Sequence, residues 1–146
     1  MNIVFTKINM IHSADNNGDL LYFEGNRDFD FDIKRIYFIC NAMKGTKRGG
    51  HAHKKLKQLL FCPYGIIKLI FDDGISKIEV ILDNPTIGII VSPCTWRDMI
   101  WLETDSVLCV AASEYYLEDD YIRNYDAFLN YISEMKWKEK EKNESI

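Results

Sequence analysis

The chain contains 146 residues, close to the usual length of one domain, so we expect a single domain over residues 1–146. Apolar residues make up 47% of the sequence and charged residues 27%, a globular composition that argues against an unfolded chain. The 18 basic and 22 acidic residues give a net charge of −4, which argues against a nucleic-acid polymer as partner but allows a local basic pocket for a phosphate.

The predicted elements in the first three quarters of the chain are short strands. Residues 3–11 and 20–24 flank the turn sequence of residues 15–19 and predict a β-hairpin. Further β-rich runs end at turn signals, and they cover residues 36–40, 56–62, 66–71, 78–82, 87–91 and 107–111. Strands at a spacing of about ten residues are typical of an antiparallel sandwich or barrel.

The C-terminal part changes from strand to helix. Apolar side chains recur there at helical spacing, namely Tyr125, Phe128, Leu129, Ile132 and Met135. This pattern predicts a helix over residues 122–138 that packs one apolar face on the sheet. Residues 139–146 are rich in Lys and Glu, and we expect them to form a frayed, solvated end.

Targeting signals are missing from the sequence. No apolar stretch approaches the roughly 20 residues of a membrane span, and the N-terminal residues lack the arrangement of a signal peptide. The four cysteines are widely spaced without a Cys-x-x-Cys motif, so we expect reduced, packed thiols. Together these features predict a cytoplasmic protein with no membrane partner.

Two of the three histidines, His51 and His53, stand one residue apart. Residues two apart in a strand point to the same side, so the two imidazoles would project together. Such a pair suits either a transition metal or acid/base catalysis near neutral pH, and the alternative is two surface histidines at the start of a strand. Gly49 and Gly50 permit an unusual backbone or a close ligand approach, and Arg48 offers a cation for an oxyanion or a phosphate.

The spacing beyond these histidines resembles the first cupin motif, which has His-x-His, four residues, Glu, six residues and Gly. Gln58 stands at the carboxylate position of that motif and Gly65 at its glycine. Residues 88–99 resemble the second motif, with Arg97 where a third histidine ligand is expected. A guanidinium does not ligate a metal and an amide is a poor carboxylate substitute. We therefore expect an all-β cupin jelly-roll barrel with a C-terminal helix, and neither a metal nor another cofactor.

A more specific resemblance is to the sugar 3,4-ketoisomerases, also called WxcM-like or FdtA/QdtA-like. It covers about residues 3 to 135, and it rests on the segments 48–55, 71–74, 96–99, 112–116 and 120–125. The resemblance implies a homodimer with exchanged strands. It also implies conversion of dTDP-4-dehydro-6-deoxy-D-glucose to the 3-keto isomer, ahead of transamination to a 3-amino sugar for surface glycans such as lipopolysaccharide O-antigen.

This reaction needs groups that move protons. Under the resemblance, His51 removes the C3 proton and returns it at C4, while His53 relays protons between the oxygens; the reverse assignment stays open. Arg48 would stabilise the developing oxyanion, and Tyr37 would hydrogen-bond a sugar oxygen unless it only packs in its strand.

Arg97 bears on the stereochemistry of the product. The family has Arg or His at the matching position in the substrate pocket, and Arg resembles the members that give the gluco-configured product rather than the galacto one. The alternative is a surface arginine without a role in the site.

Other candidate substrate contacts are less specific. Arg123 would bind the diphosphate or form a salt bridge with Asp119 or Asp120. Trp96 and Tyr125 would stack on the thymine or pack in the core.

Three rival functions stay open at this point. A dTDP-sugar 3,5-epimerase uses a cupin scaffold and the same nucleotide sugar, a non-catalytic cupin would only bind a nucleotide sugar, and a metal-dependent oxygenase would need a different ligand set. The sequence also leaves open whether the base is thymidine or uridine.

Overall fold

The computed structural model describes residues 3–12 and 15–144. One five-stranded sheet contains, in spatial order, β1 (Ile3–Lys7), β9 (Ile87–Val91), β6 (Gln58–Tyr64), β11 (Val107–Ala112) and β4 (Arg35–Ile39). The other contains β12 (Tyr121–Ile122), β5 (Lys47–His53), β10 (Trp96–Trp101), β7 (Ile67–Asp72) and β8 (Lys77–Leu82). A separate hairpin pairs β2 (Asn9–His12) with β3 (Asp19–Tyr22), and helix α1 (Tyr125–Glu144) follows β12.

The topology is that of a jelly roll. From β4 to β12 the chain passes to the opposite sheet after every strand except β7, which pairs directly with β8. All the pairings between these strands are antiparallel. The expected all-β jelly roll with a C-terminal helix is therefore confirmed.

The core lies between the two sheets and follows from the alternation of side chains along each strand. Alternate residues of the facing strands are buried against one another, among them Leu60, Ile67, Leu69, Phe71, Ile89, Trp101 and Val110. Trp101 satisfies its indole by donating Nε1–H to the carbonyl of Ser106 at 2.8 Å. Apolar residues therefore fill one end of the barrel interior. The buried polar side chains His53, Gln58 and Arg97 lie towards the other end.

Helix α1 starts later and ends later than predicted. Its start is delayed because Tyr121 and Ile122 pair with β5 as a short strand, and Asn124 Oδ1 accepts the Ala127 N–H at 2.9 Å as an N-cap. Its end extends to Glu144 rather than to residue 138, so residues 139–144 continue the helix, and their fraying stays a prediction. Lys and Glu have good helix propensity, and Lys140 lies 3.7 Å from Glu144 one turn later. Residues 145–146 lie outside the described residues.

The N-terminal hairpin differs from its prediction. Its pairing is confirmed for β2 and β3, but residues 3–7 leave it and join β9 in the first sheet. The break falls at Ile8, which is buried and donates its N–H to the Thr86 carbonyl at 2.8 Å. Residues 13–14, which directly precede the predicted turn of residues 15–19, lie outside the described residues.

In the part of the chain that the structure describes, no helix is long and apolar enough to cross a membrane. The four cysteines are free, and Cys62 is buried as expected. Cys40 is exposed instead, because it directly follows β4 on the outer side of the sheet.

Glycine 65 gives a test of this packing. Gly65 has φ 89°, and an added Cβ would lie 2.7 Å from the Cα of buried Ser106 and clash with its Oγ. Gly45 has nearly the same φ, 88°, with open space around it. We expect Gly45→Ala to cost about 1 kcal/mol of unfolding free energy from backbone strain, and Gly65→Ala to cost roughly 1–3 kcal/mol more from overpacking. Urea unfolding of both variants measures the difference, and equal losses would contradict the packing.

Candidate active site

A pocket of about 260 Å³ opens between the two sheets, where the edge strands β4 and β12 face each other. Its lining residues come from β4, β5, β10 and the segment around β12, namely Arg35, Tyr37, Ile39, Arg48, Gly49, His51, Met99, Tyr121 and Arg123. On β4 these are alternate residues, so one face of the strand forms a wall of the pocket.

A β-bulge in β5 aims its side chains at this pocket. Asp98 pairs with Gly49 and Arg97 with His51, so Gly50 is the extra residue opposite β10. Gly49 and Gly50 have φ of 96° and 67°, and a Cβ on Gly49 would lie 2.5 Å from the Arg97 carbonyl oxygen. The close approach that Gly49 permits is thus to the backbone of β10.

The two histidines project together, as the spacing predicts. The ring centroids of His51 and His53 lie 5.0 Å apart, and Tyr121 packs on both rings at 5.1 and 4.3 Å. His51 lines the pocket, whereas the side chain of His53 is 1% exposed and lies deeper. His53 Nδ1 lies 3.0 Å from Asp120 Oδ2, and its Nε2 is buried without a partner among the described residues.

Burial holds both imidazoles in the neutral form. It lowers the pKa of His51 to about 4, with the nearby positive charge of Arg97 acting in the same direction. The same two causes, in the same order, lower the pKa of His53 to about 2. At neutral pH both side chains can therefore accept a proton.

Arg97 lies inside the barrel, not at the surface. It is 1% exposed and makes its hydrogen bonds to neutral oxygens: Nη1–H donates to Gln58 Oε1, and Nε–H and Nη2–H donate to the Thr95 carbonyl at 3.3 and 2.9 Å. Burial lowers its pKa to about 10, so the guanidinium stays charged at neutral pH. Arg97 is the cross-strand neighbour of His51 but does not itself line the pocket.

Gln58 links Arg97 to Tyr37 through two hydrogen bonds. Its Oε1 accepts from Arg97, and its Nε2 donates to Tyr37 Oη at 2.9 Å. The phenol thus receives a hydrogen bond from inside and is left to donate its own proton towards the pocket. Burial raises the pKa of Tyr37, so that proton is retained.

These residues do not fit the metal that many cupins carry. At the four positions of the motifs stand His51, His53, Gln58 and Arg97, and the last is a buried cation that would repel a metal ion. The amide oxygen of Gln58 is already an acceptor for Arg97. Within the described residues, no group of three or more His, Cys, Asp or Glu side chains is placed to hold a metal ion.

The rim of the pocket carries three further guanidinium groups, those of Arg35, Arg48 and Arg123. Arg123 pairs with Glu118 through two contacts of 2.7 and 3.0 Å, rather than with Asp119 or Asp120. Its guanidinium also lies 4.2 Å from the ring centroid of Tyr121. Together these cations give the pocket mouth the positive charge that a phosphate group needs, despite the net negative charge of the chain.

Two predicted substrate contacts lie elsewhere. Trp96 and Tyr125 pack edge to face at 5.2 Å, and both join the cluster between the second sheet and α1. Tyr125 Oη donates to Asp72 Oδ2 at 2.7 Å. Trp96 points to the opposite side of β10 from Arg97, since the two are consecutive residues of a strand. In this chain they therefore pack the helix and do not line the pocket.

Three residues of the site were missed from the sequence. Arg35 was detectable, because it stands two residues before Tyr37 on the same strand face. Tyr121 and Asp120 reach the site because β12 pairs with β5, opposite His53. No local pattern signals that pairing, since the partners lie far apart in the sequence.

The family and structural comparisons agree with one another. Residues 1–142 match the family model described as FdtA: WxcM-like, C-terminal. A TDP-4-oxo-6-deoxy-alpha-D-glucose-3,4-oxoisomerase of Aneurinibacillus thermoaerophilus is 43% identical over 128 residues, 88% of this chain and 92% of the relative.

Solved structures similar to this chain include two of the sugar 3,4-ketoisomerase QdtA from Thermoanaerobacterium thermosaccharolyticum. The complex with TDP is 38% identical, with a TM-score of 0.86 over 92% of this chain and 96% of that one. A mutant in complex with TDP-4-keto-6-deoxyglucose also has 38% identity and a TM-score of 0.86, over 91% and 95% of the two chains.

The neutral state of the histidines predicts a pH dependence of stability. Unfolded histidines titrate near pH 6.5, so between about pH 4 and 6.5 the unfolded chain binds more protons than the folded chain. Above this window the histidines are neutral in both states and do not reduce the free energy of unfolding. Within it, acidification lowers that free energy by up to about 1.4 kcal/mol per pH unit for each histidine. We expect His51→Gln to flatten the slope measured by urea unfolding between pH 5 and 6.5. Equal slopes in variant and wild type would contradict it.

Proposed function

Because the chain belongs to the FdtA family of WxcM-like sugar 3,4-ketoisomerases, we propose that it converts dTDP-4-dehydro-6-deoxy-D-glucose into its 3-keto isomer. The observation that carries this proposal is the pair of neutral imidazoles, 5.0 Å apart, at a pocket rimmed by guanidinium groups. The protein is an isomerase whose two proton transfers, from C3 to C4 and from one oxygen to the other, leave no net proton change.

His51 is the group that moves the carbon-bound proton. It lines the pocket and is neutral, so it accepts the C3 proton as the C4 ketone becomes an enediolate. The buried charge of Arg97 beside it stabilises the enediolate and disfavours the imidazolium. The proton is therefore returned readily, and its return to C4 completes the shift of the ketone.

The oxygens exchange one proton in the same step. His53 has a buried, unpartnered Nε2, which suits a relay from the C3 hydroxyl to the C4 oxygen. Tyr37 donates a hydrogen bond to a sugar oxygen, and Arg48 at the rim adds positive charge near the developing oxyanion. The deeper position of His53 supports this division of roles between the two histidines.

The nucleotide end of the substrate carries two phosphates, and Arg123 and Arg35 at the pocket mouth bind them. Arg35 has a buried Nε without a partner among the described residues, which a phosphate oxygen would satisfy. Arg123 forms an ion pair with Glu118, so the diphosphate must compete with the Glu118 carboxylate for this guanidinium. As the resemblance implies, the arginine at position 97 favours the gluco-configured product, dTDP-3-dehydro-6-deoxy-D-glucose. This product would supply a 3-amino-3,6-dideoxyhexose for surface-glycan synthesis, at a stage that takes place in the cytoplasm.

The activity is tested by incubating the protein with dTDP-4-keto-6-deoxyglucose in D₂O and recording NMR spectra of the product. We expect a 3-keto sugar with an equatorial C4 hydroxyl and with deuterium at C4, because the proton held on His51 exchanges with the solvent before its transfer to C4. His51→Asn should lower turnover by about 10²–10⁴-fold, since it removes the acid/base group. Deuterium at C3 and C5 instead would indicate a 3,5-epimerase, and no conversion a binding protein. Wild-type turnover and exchange in His51→Asn would exclude the proposed role of His51.

The partner of this chain is a second copy of it. On β4, Ile36 and Phe38 face outward from the first sheet and are 60% and 64% exposed. The hairpin of β2 and β3 also exposes large apolar side chains, among them Met10, Ile11, Leu20 and Tyr22. An isolated two-stranded hairpin is marginally stable, and large apolar patches mark interfaces. Exchange of N-terminal strands fits this arrangement, because β1 is an edge strand that a partner's strand can replace in register.

Replacing an outward residue of β4 tests the interface. Phe38→Glu places a charge on the apolar face, and we expect a shift from dimer towards monomer in sedimentation velocity. Ile75→Glu is the matched control, since Ile75 is 80% exposed in the turn between β7 and β8 and its variant should stay dimeric. A monomeric wild type, or a Phe38→Glu variant that dimerises as well as wild type, would refute the proposed face.

A further inference from the structure

Asp120 contacts the last residue of β5 and the two residues that follow it. Its Oδ1 accepts the backbone N–H of Lys55 at 2.8 Å, and its Oδ2 lies 3.0 Å from His53 Nδ1. The Asp120 carbonyl also accepts the Lys54 N–H at 2.9 Å. Three contacts to three consecutive residues hold this carboxylate in one place against the imidazole.

The contact with Oδ2 determines which nitrogen of His53 carries the proton. An ionised carboxylate only accepts hydrogen bonds, so Nδ1 must be the donor. In a neutral imidazole the other nitrogen is then an acceptor, and burial keeps His53 neutral. His53 Nε2 therefore holds a lone pair, directed into the interior beside His51.

That lone pair has no partner among the described residues, although it is buried. A buried polar atom left unpaired costs about 1–3 kcal/mol. Such a cost is accepted at a site where a ligand supplies the missing donor. A sugar hydroxyl is a donor of this kind.

From these contacts we infer that Asp120 is a positioning residue for the reaction: it keeps His53 in the tautomer whose Nε2 accepts a proton. The inference rests on the proposed function, because the proton in question is that of the C3 hydroxyl. His53 Nε2 takes this proton as the C3 carbonyl forms, and the same proton passes to the C4 oxygen. One proton leaves O3 and one arrives at O4, so His53 and Asp120 end as they began.

Asp120 also stabilises the intermediate state of this relay. When Nε2 has accepted the proton, His53 is a buried imidazolium close to Arg97 and His51. Burial and the interactions with these two side chains disfavour the charged ring. The carboxylate at 3.0 Å is the negative group in contact with the ring. Removal of that negative charge would raise the energy of the relay step without removing a substrate contact.

The test is Asp120→Asn, with Asp119→Asn as the matched control. In the variant, the Asn oxygen can still accept from the Lys55 N–H, which leaves the amide NH₂ facing His53 Nδ1. An NH₂ group donates, so Nδ1 becomes the acceptor and Nε2 carries the proton. Asp119 is exposed and adjacent, so its variant controls for the loss of one charge in the same segment.

Two measurements are made on each protein. Imidazole ¹⁵N NMR reports the protonated nitrogen of His53, and we expect Nδ1–H in wild type and Asp119→Asn but Nε2–H in Asp120→Asn. Steady-state kinetics should show kcat lowered by about 10²–10⁴-fold in Asp120→Asn with KM little changed, by analogy with loss of the orienting carboxylate in catalytic triads. A loss of stability alone would not switch the tautomer.

Nε2–H in the wild-type protein overturns the inference, whether or not Asp120→Asn folds. A switched tautomer with kcat within threefold of wild type overturns it as well. If wild type does not isomerise dTDP-4-keto-6-deoxyglucose, the proposed function fails by itself, and the role of Asp120 in catalysis fails with it, while the NMR result still decides whether Asp120 sets the tautomer.

Discussion

The buried guanidinium of Arg97 is the constraint on which the site depends. It lies inside a barrel whose other interior positions are mostly apolar, and its hydrogen bonds go to the Gln58 amide and the Thr95 carbonyl. A buried charge without a contacting carboxylate is costly, and such a cost is usually found where function requires it. Here its effects are electrostatic and directional, and they reach His51, His53 and Tyr37.

The electrostatic effect concerns the histidines. Arg97 adds to burial in lowering the pKa of both His51 and His53, which keeps the pair neutral and ready to accept protons. In the proposed mechanism the same charge favours an enediolate in the pocket, so Arg97 would both lower the basicity of the imidazoles and stabilise the anion that they generate. The directional effect passes through Gln58 to the phenol of Tyr37.

Much of the fold was predictable because its apolar alternation and turns are local. An antiparallel sandwich or barrel, six of the eight strands from residue 35 to 112 and the existence of the helix followed from these patterns. The jelly roll itself was implied by the resemblance to the cupin motifs. β10 was described only as a motif because its inward residues include Arg97, and a charged residue among apolar ones obscures the strand. The helix end was misplaced because the Lys and Glu of residues 139–144 signal solvent exposure as well as helix, and both are true there.

The site was predictable only where its residues share a strand. His51 and His53 belong together by their spacing, and the loss of the cupin metal ligands was readable at Gln58 and Arg97. Asp120 and Tyr121 enter through the pairing of β12 with β5, a contact across more than sixty residues that no local signal encodes. Trp96 and Tyr125 lie next to the family motifs in the sequence but outside the pocket. Their aromatic rings suit packing against α1 as well as stacking on a base, and the sequence does not distinguish the two.

The strand β4 links the site to the proposed assembly. Its inner face gives Arg35 and Tyr37 to the pocket, while its outer face exposes Ile36 and Phe38. Within the described chain β4 pairs on one side only, with β11, so its other edge and its outer face are unsupported. A partner covering that face would hold the strand, and with it the Tyr37 phenol and the Arg35 guanidinium, which line the pocket. The proposed assembly and the proposed catalysis therefore share one element, and a weakened interface should loosen the pocket before it alters any residue that we propose to touch the substrate.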